Sequence, residues 1–451
     1  MNPTAQHSDW ALPDLSGLKA HASWLLLDAS GAPGVISGYL AVGVKRSLTL
    51  EHPDADAFDR IAAFVGAGKG RCFGWVGYDQ LRADPMLNLP PQAPVHVPLP
   101  AAHWVEAEGV LAFSGCGAEA HCEWFSRPED ASLAAAMEAA VRHPDPGMPS
   151  PIAGENSVDS SLNAEAYMDA FEKVHAHILR GDIYEMNLCR ELRGFLPSGF
   201  SADAAFGDLV AKTLAPYSAH IQMGPVHIVS ASPECFLERQ GDRLISRPIK
   251  GTAPRHADPA TDAKAAENLR TDVKERAENV MITDLVRNDL SRIAAPSTVE
   301  VEELCGIHSF RNVHQMVSTV SCVVQPGTRF SEILKATFPM GSMTGAPKLR
   351  AVEITAEIEP VMRGLYSGTL GWADPNGEGD VGDFHLNVVI RTAVADTETG
   401  RWSAHVGGAI TALAQPLAEW KETQLKAKAV LEVLGGAEPV NRTENSAQPH
   451  G

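Results

Sequence analysis

The sequence predicts a mixed fold of the α/β or α+β class, and three observations lead to this prediction. Apolar runs of strand length recur along the chain, at HIVSASPECFLER, RLISRPIKGT, SGTLGW, HLNVVIRTA and WSAHVGGAI. Segments of helical character lie between them, including TDVKERAENVMITDLVRNDL and AEWKETQLKAKAVLEVL. No repeat of fixed short period is present, and residue preferences leave the order of the strands open.

In chain order, the N-terminal third mixes short apolar runs with turn-rich pieces such as LNLPPQAPVHVPLP. Pro, Gly and Ser are frequent from Arg142 to Ser161, so this stretch is the predicted linker. Helical spacing follows in four apolar residues, Tyr167, Phe171, Val174 and Ile178. Gly181 is the predicted C-terminal stop of that helix, and the next segment, IYEMNL, alternates like a strand.

The composition limits the possible partners. The 451 residues contain 37 Lys and Arg against 56 Asp and Glu, a formal net charge of −19. Nucleic acids and anionic membranes are therefore not expected partners, because binding phosphate needs clustered cations. The N-terminus does not resemble a signal peptide, and no run of about 18 apolar residues predicts a membrane span. Seven scattered cysteines without CxxC spacing predict free thiols in a reducing cytoplasm.

Two pairs of glutamates share one spacing. Glu275 and Glu278 are three residues apart in one predicted helix, and Glu419 and Glu422 repeat this spacing in another. Lys426 follows on the same helix face as the second pair. Two such helices facing each other would offer the oxygen ligands that Mg²⁺ prefers. The alternative is a solvated face with an ordinary i,i+4 pair, and spacing alone favours this alternative.

Lys250 stands at the predicted end of a strand, before a Gly251–Thr252 turn. Such a lysine is a nucleophile or, more commonly, a solvated strand end. The segment FPMGSMTGAPK offers backbone N–H and hydroxyl donors to an anion near a helix start, although many glycine-rich segments are only turns.

Four other residues each allow two interpretations. Arg391, in a predicted strand of otherwise apolar residues, would grip a carboxylate in bidentate fashion or be paired within the fold. Gly407 and Gly408 would let a backbone approach a ligand closely or form a bulge. His314, in RNVHQMVS, is functional or is a satisfied internal histidine.

Several long motifs occur in one order along the chain. GDIYEMNLCR, SPECFL, RPIKGT, KERAENVMITDLVRNDLSRI, VHQMVS, FPMGSMTGAPK, GLYSGTLGW, NVVIRTA, VGGAI and AEWKETQLKAKA together resemble the chorismate-utilising enzymes. This resemblance implies a two-sheet, sandwich-like core wrapped by helices, as in anthranilate synthase component I. It also implies an N-terminal region at 1–145 and a chorismate-binding catalytic region at 162–436. The polar composition of residues 437–451 predicts a disordered tail.

The resemblance assigns roles to individual positions. Glu278 and Glu422 match the principal Mg²⁺ ligands of the family, with Glu275 and Glu419 beside them. Glu234, in SPECFL, matches the general acid that helps a ring hydroxyl leave. The positions matched to the pocket that holds chorismate are Gly251, Thr252, His314, Thr344, Tyr366, Arg391, Gly407, Gly408 and Lys426.

Two positions favour the aminodeoxychorismate synthase branch of the family. Isochorismate and salicylate synthases resemble one another in having a lysine base at the position where this chain has Glu185. The absence of that lysine here disfavours water as the attacking nucleophile. PIKGT stands where anthranilate synthases typically have PIAGT. The resemblance implies that Lys250 attacks ring carbon two as the hydroxyl leaves carbon four. Ammonia then replaces the lysine and gives aminodeoxychorismate, the precursor of p-aminobenzoate and folate.

The charge of Lys250 matters for this role. A lysine with an ordinary pKa near 10.4 is only about 0.1% neutral near pH 7.4. We expect partial burial to favour the neutral amine, against the effect of an ionised Glu234.

The ammonia has to come from elsewhere. Cys116, in SGCGAEAH, does not fit the G-x-C-x-G setting of a nucleophile, and a separate glutamine amidotransferase subunit is the expected partner. Anthranilate synthase component I is the alternative within the family. A binding or regulatory subunit of the same fold, without turnover, is the alternative from another class, and the two acidic helices together with Glu234 argue against it.

Overall fold

The computed structural model describes residues 12–28, 37–143, 156–310 and 312–437. Most of the predicted linker lies outside the described residues, and so does the tail from residue 438. Within the described ranges the helices are α1 (Ala57–Gly66), α2 (Ala131–Arg142), α3 (Ala164–Arg180), α4 (Ala202–Thr213), α5 (Pro259–Thr271), α6 (Val273–Ser291), α7 (Phe330–Thr337), α8 (Lys348–Ile358) and α9 (Pro416–Val433).

The strands of the same ranges are short to medium in length. They are β1 (Ser23–Asp28), β2 (Ser37–Val42), β3 (Arg46–Leu50), β4 (Cys72–Val76), β5 (Ala102–Glu106), β6 (Gly109–Ser114), β7 (His121–Ser126), β8 (Asn156–Ser157), β9 (Asp159–Ser160), β10 (Glu185–Phe195), β11 (Tyr217–Met223), β12 (Val226–Ser232), β13 (Cys235–Gln240), β14 (Arg243–Arg247), β15 (Ile249–Pro254), β16 (Glu300–Ser309), β17 (Val313–Val323), β18 (Gly345–Ala346), β19 (Thr369–Pro375), β20 (Val381–Val388), β21 (Thr392–Asp396), β22 (Arg401–Thr411) and β23 (Gly436–Ala437).

The strands form two large antiparallel sheets. The first has the order β18-β10-β22-β21-β12-β11-β1-β2-β6-β7, and β9 also pairs with β10. The second has the order β15-β17-β14-β13-β20-β19-β4-β5-β3, and β16 also pairs with β17. Strands β1 and β4 of the N-terminal region pair with β11 and β19 of the region 162–436. Both parts of the chain therefore build both sheets.

The two sheets pack face to face around large apolar side chains. Trp24 of β1 stacks on Trp75 of β4 with ring centroids 5.5 Å apart, and Ile221 and Leu370 are buried in the same cluster. Burying an apolar side chain of this size stabilises the fold by roughly 1.5–3 kcal/mol. Helices α2, α4 and α9 cover the outer face of the first sheet, while α1, α6 and α7 cover that of the second. The predicted two-sheet core wrapped by helices is thus confirmed.

Helix α3 confirms the prediction made from apolar spacing. Its four predicted core residues are buried. The Asn163 side chain accepts a hydrogen bond from the Ala166 N–H at 2.9 Å and caps the first turn. Gly181 ends the helix with φ at +81°, a conformation that glycine adopts at little cost.

Two predicted strands are each divided between the two sheets. HIVSASPECFLER forms β12 in the first sheet and β13 in the second, and HLNVVIRTA forms β20 in the second sheet and β21 in the first. At each division the chain crosses between the sheets. Apolar runs do not reveal such corners, because both flanking strands are buried and have the same composition.

Two predictions made from composition can be compared with the fold. All seven cysteines are free thiols, as expected. None of the helices in the described ranges is both long enough and apolar enough to cross a membrane.

Candidate active site

The two crossings between the sheets lie side by side. Glu234 follows β12, and Arg391 follows β20 after two apolar residues. The Val388 N–H donates to the Glu234 carbonyl at 3.1 Å, and the Ala231 N–H donates to the Arg391 carbonyl at 3.1 Å. These bonds fix the two crossings next to each other, at the ends of strands in the middle of both sheets.

Arg391 does not lie in a strand, contrary to the prediction. It adopts φ +50° in the connection between β20 and β21, a conformation that is uncommon for residues other than glycine. Its side chain has no hydrogen bond or ion pair with any of the described residues, and burial lowers the pKa of its guanidinium group. An arginine without an anionic partner in a partly buried position is suited to binding an anion from solution.

Glu234 is nearly enclosed, with 5% of the residue exposed. Burial raises the pKa of Glu234 to about 7, although the nearby Ser342 hydroxyl and Lys250 ammonium favour the ionised form. A small cleft beside its carboxyl group is lined by Ser246, Pro248, Met340 and Ser342, among other residues. A carboxyl group that is partly protonated near neutral pH can donate a proton to a leaving group.

Lys250 is the second residue of β15, and the predicted turn after it does not exist. Gly251 and Thr252 continue the strand through a bulge against β17. Gly251 has φ +88°, and a Cβ atom there would lie 3.0 Å from Glu275 Oε2 and 3.1 Å from Leu269 Cδ1. The bulge therefore requires glycine, and it brings β15 against the first turn of α6.

The Lys250 ammonium group makes an ion pair with Glu185. The Nζ–Oε1 distance is 2.7 Å, the Glu185 side chain is fully buried, and that of Lys250 is 11% exposed. Burial lowers the pKa of Lys250, but the carboxylates of Glu185 and Glu278 raise it by more, so the net pKa lies above its ordinary value. Burial thus favours the neutral amine, as expected, but the neighbouring carboxylates outweigh it and keep the lysine protonated.

The two acidic helices face each other, as the metal-site hypothesis requires. Lys274 Nζ of α6 lies 3.0 Å from Glu419 Oε1 of α9 and 3.6 Å from Glu278 Oε1. Glu278 is 5% exposed and Glu419 is 1% exposed, so the solvated-face alternative does not describe these two residues. Glu422 is less buried and pairs with Lys426 at 2.7 Å.

The carboxylates fit a divalent cation. Glu278 Oε1 and Glu419 Oε2 are buried and accept no hydrogen bond from the described residues. Burial raises the pKa of Glu275, Glu278 and Glu419, that of Glu278 to about 7. Burial also acts on Glu422, but Lys426 lowers its pKa by more. Incompletely bonded carboxylate oxygens would suit Mg²⁺ better than a softer metal.

Two glycines of β22 complete the wall next to α9. The Lys426 ammonium group donates to the Gly407 carbonyl at 3.1 Å. A Cβ atom on Gly407 would lie 2.5 Å from Cys189 Sγ, and one on Gly408 would lie 3.3 Å from Glu419 Oε2. The pairing of β22 with β10 is regular, so the bulge alternative is wrong. Close approach of neighbouring groups explains these glycines.

The remaining predicted residues have other immediate contacts. The His314 ring is held by Ser309 Oγ at 2.8 Å and Asp262 Oδ1 at 3.1 Å. Thr344 is buried and donates to the Met340 carbonyl at 3.1 Å. Tyr366 is buried with its ring stacked on His405, and Thr252 is exposed on β15. Within the described residues, no hydrogen bond or ion pair joins these four side chains to the glutamates.

Two residues of this site escaped the sequence-based assignment of roles. Glu185, whose identity in the sequence only disfavours water as the nucleophile, is the partner of Lys250. Lys274, to which the sequence assigns no role, joins the two acidic helices. Its position four residues before Glu278 was the available signal.

Comparison with known proteins identifies the family. Residues 32–432 match the family described as chorismate binding enzyme. Anthranilate synthase component 1 of Streptomyces coelicolor is 30% identical over 97% of this chain and 87% of its own length. Aminodeoxychorismate synthase component 1 of Klebsiella aerogenes is 38% identical over 61% of this chain and 59% of its own length. The crystal structure of anthranilate synthase component I from Streptococcus pneumoniae matches with a TM-score of 0.75 at 22% identity, covering 89% of this chain and 93% of that one.

The chain belongs to the chorismate-binding enzyme family, because the family match extends over most of its length. It is accordingly an enzyme that acts on chorismate. The two relatives carry the names of different synthases, so similarity alone leaves the product open. The chain spans about three fifths of the length of the Klebsiella relative.

Proposed function

We propose that this enzyme is an aminodeoxychorismate synthase, which replaces the ring hydroxyl of chorismate with ammonia and retains the enolpyruvyl group. The observation that carries the proposal is the position of Lys250. Its amine group is enclosed beside Glu185 and close to the carboxyl group of Glu234. A lysine in this place can form a temporary bond to the substrate ring.

The reaction balances with residues of this site. Glu185 accepts a proton from the Lys250 ammonium group, and the free amine then bonds to ring carbon two. The ring double bonds shift, the bond from carbon four to its hydroxyl breaks, and Glu234 supplies the proton with which water leaves. Ammonia next attacks carbon four, the double bonds shift back, and the bond between carbon two and Lys250 breaks. The nitrogen that has bonded to carbon four then returns a proton to Glu234. The lysine recovers its proton, so the product is 4-amino-4-deoxychorismate and water.

Magnesium is part of the proposal. Glu275, Glu278, Glu419 and Glu422 would hold the ion between α6 and α9. When bound, Mg²⁺ supplies positive charge that offsets these carboxylates and anchors the ring carboxylate of the substrate.

Cationic and small residues would hold the substrate in position. Arg391 has no anionic partner in the described structure and is available for a carboxylate of chorismate. Lys426 and the backbone at Gly407 lie next to Glu422, one of the proposed metal ligands. Arg391 and Lys426 would therefore each offer positive charge to a dianionic substrate.

A glutamine amidotransferase subunit is proposed as the partner that delivers ammonia. The relatives named "component 1" support this proposal, because the name implies a second component. We further propose that the pair works in the cytoplasm, where free thiols are stable.

Anthranilate synthase component I is the second candidate function. The similarity to the Streptomyces coelicolor protein, over almost the whole chain, favours it. That reaction would release pyruvate and an aromatic amine, so the two candidates differ in their products.

The deciding experiment supplies the pure protein with chorismate, Mg²⁺ and ammonium and identifies the product by mass. Aminodeoxychorismate is expected, with ammonium but not with glutamine as the nitrogen source. An aromatic amine with pyruvate would favour anthranilate synthase, and no turnover would favour a non-catalytic subunit. Efficient use of glutamine by rigorously pure protein would contradict the need for a partner.

The role of Lys250 is tested in the same system without ammonium. The wild type should then accumulate a covalent adduct, which intact-protein mass spectrometry detects and peptide mapping assigns to Lys250. Lys250→Ala should lose the adduct and most aminodeoxychorismate formation. A wild type without adduct, together with normal product formation by Lys250→Ala, would rule out the nucleophile role.

A further inference from the structure

Lys274 occupies the space between the two acidic helices. It lies in the first turn of α6, and its ammonium group donates to Glu419 Oε1 of α9 at 3.0 Å. Glu278 Oε1, one turn further along α6, lies 3.6 Å from the same nitrogen. The first contact is a charge-assisted hydrogen bond, and the second is an ion pair too long for one. Lys274 therefore joins two glutamates that we assign to the metal.

The lysine and a metal ion would compete for the same carboxylates. Mg²⁺ binds carboxylate oxygens at about 2.0–2.1 Å and tolerates little distortion. An ammonium group hydrogen-bonded to a carboxylate stays at about 2.7–2.9 Å. Two cations bound to Glu419 at these distances would repel each other strongly, because the site is largely buried.

The lysine has a way out of the site. Its side chain is 32% exposed, whereas that of Lys250 is only 11% exposed. The flexible four-carbon stem starts in the first turn of α6 and can turn the ammonium group toward water. Displacement of Lys274 therefore requires rotation of one side chain and no movement of the helix.

We propose that Lys274 is an internal counter-ion, which holds the two acidic helices together without metal and is displaced from Glu419 when Mg²⁺ binds. Part of the binding free energy of Mg²⁺ is then used to break the contact between α6 and α9. Lys274 weakens the apparent affinity for Mg²⁺ and limits repulsion among the carboxylates in the metal-free enzyme. This inference rests on the proposed magnesium site.

Titration calorimetry of the full-length, EDTA-treated protein with Mg²⁺ tests the inference directly. Lys274→Met should bind Mg²⁺ at least about tenfold more tightly than the wild type, which corresponds to about 1.4 kcal/mol. Lys428→Met is the matched control, since Lys428 is an exposed lysine of α9 and its loss should leave the affinity unchanged. Unchanged or weaker binding by Lys274→Met, beside a wild type that binds, would overturn this inference and leave the metal site standing. Absence of binding by both proteins would overturn both.

A second measurement uses the unaltered protein, in case the variant does not fold. Brief acetylation followed by peptide mapping reports how accessible each lysine is. Saturating Mg²⁺ should raise the labelling of Lys274 several-fold and leave that of Lys428 unchanged. Constant labelling of Lys274 in protein that binds Mg²⁺ would show that the lysine stays in place, and would overturn the displacement.

Discussion

Two buried ion pairs lie against strand β10, and they differ in how completely their atoms are bonded. Arg363 donates to both carboxylate oxygens of Glu359, at 2.9 and 2.7 Å, and to two backbone carbonyls. Glu359 Oε1 also accepts the N–H of Cys189. Lys250, by contrast, makes one ion pair with Glu185, whose second oxygen has no partner among the described residues.

The difference separates a structural pair from a reactive one. Buried polar groups are normally hydrogen-bonded, and a pair as complete as Arg363 and Glu359 has no bonding capacity left for a ligand. The incomplete bonding at Lys250 is shared by Glu278 and Glu419. Incomplete bonding also occurs at other buried charges, such as Glu191 and Asp203, so it is its concentration at Glu185, Glu278 and Glu419 that points to a cation and a substrate there.

The largest effect expected on the incomplete side is the loss of one metal ligand. Glu422→Gln should abolish turnover at ordinary Mg²⁺ concentrations and leave the fold intact, because the amide keeps the size and removes an anionic ligand. Rates measured over a series of Mg²⁺ concentrations, with circular dichroism for the fold, check this. Glu432→Gln is the control on the same helix, since Glu432 pairs with Lys212 at 2.6 Å outside the site. A wild-type rate with unchanged Mg²⁺ dependence in this variant would show that Glu422 is only a solvated surface charge and not a metal ligand.

The complete pair should matter for stability instead. Arg363→Met should lower the free energy of unfolding by about 3–5 kcal/mol, because it leaves Glu359 buried and unpaired. Lys250→Met should cost less, since a single ion pair is lost. Arg350→Met, which breaks the exposed pair with Glu353, should cost about 1 kcal/mol or less. Urea unfolding of the three variants measures these differences. A larger loss in Lys250→Met than in Arg363→Met would refute the comparison.

Arg391 should affect binding without affecting stability. If Arg391 makes a charge-assisted bond to a carboxylate of chorismate, Arg391→Ala should weaken transition-state stabilisation by ~1.5–3 kcal/mol. This corresponds to a factor of roughly 10–150 in kcat/KM. Arg391→Lys should be nearly as damaging if the contact is bidentate. Steady-state kinetics give the factor, and urea unfolding should show little change because no described residue pairs with this side chain. Normal kinetics in the lysine variant would indicate a purely structural role.

The smallest effect concerns the dependence of stability on pH. The pKa of Glu234 is raised from 4.5 to about 7, so the folded protein keeps a proton that the unfolded chain has already lost between these values. Stability contributed by this group therefore falls as the pH rises from 4.5 to about 7. In urea unfolding with EDTA, the wild type should lose stability between pH 5 and pH 8. Glu234→Gln should make this loss in the free energy of unfolding smaller by roughly 1–3 kcal/mol.

Glu238 supplies a control of opposite sign. Burial raises its pKa, but its ion pair with Arg247 at 2.6 Å lowers it by more, to below the ordinary value. The stability that Glu238 contributes to the fold is therefore present above pH 4.5 and is lost as the pH falls through the lowered pKa. Glu238→Gln should lose stability at pH 8. The same pH dependence in Glu234→Gln and the wild type would show that Glu234 is ionised in the folded protein at both pH values.

Several elements of this fold could be predicted from local patterns. The spacing of Tyr167, Phe171, Val174 and Ile178 predicts α3, and the glutamate-rich segments predict α6 and α9. A helix shows its buried face within a few residues, so its pattern is legible without the rest of the chain. Motif order was enough to indicate the family, which the match over residues 32–432 confirms.

The corners between the sheets could not be predicted in this way. Apolar runs continue through β12 and β13, and through β20 and β21, although the members of each pair belong to different sheets. Arg391 was therefore expected inside a strand, whereas it lies at a corner with φ +50°. Whether a run bends depends on what packs against it, and that contact comes from distant parts of the chain.

By itself, the sequence determined the class of fold, the two acidic helices and the residues that carry charge. The tertiary structure alone decided which charges meet. Lys274 and Glu419 are 145 residues apart, and Lys250 and Glu185 are 65 apart, yet each pair is in contact. Spacing along one helix reveals which of its side chains share a face, but the partner of a buried charge is set by the packing of separate elements. For that reason the bonding of Lys250, and its raised pKa, could be found only in the folded protein.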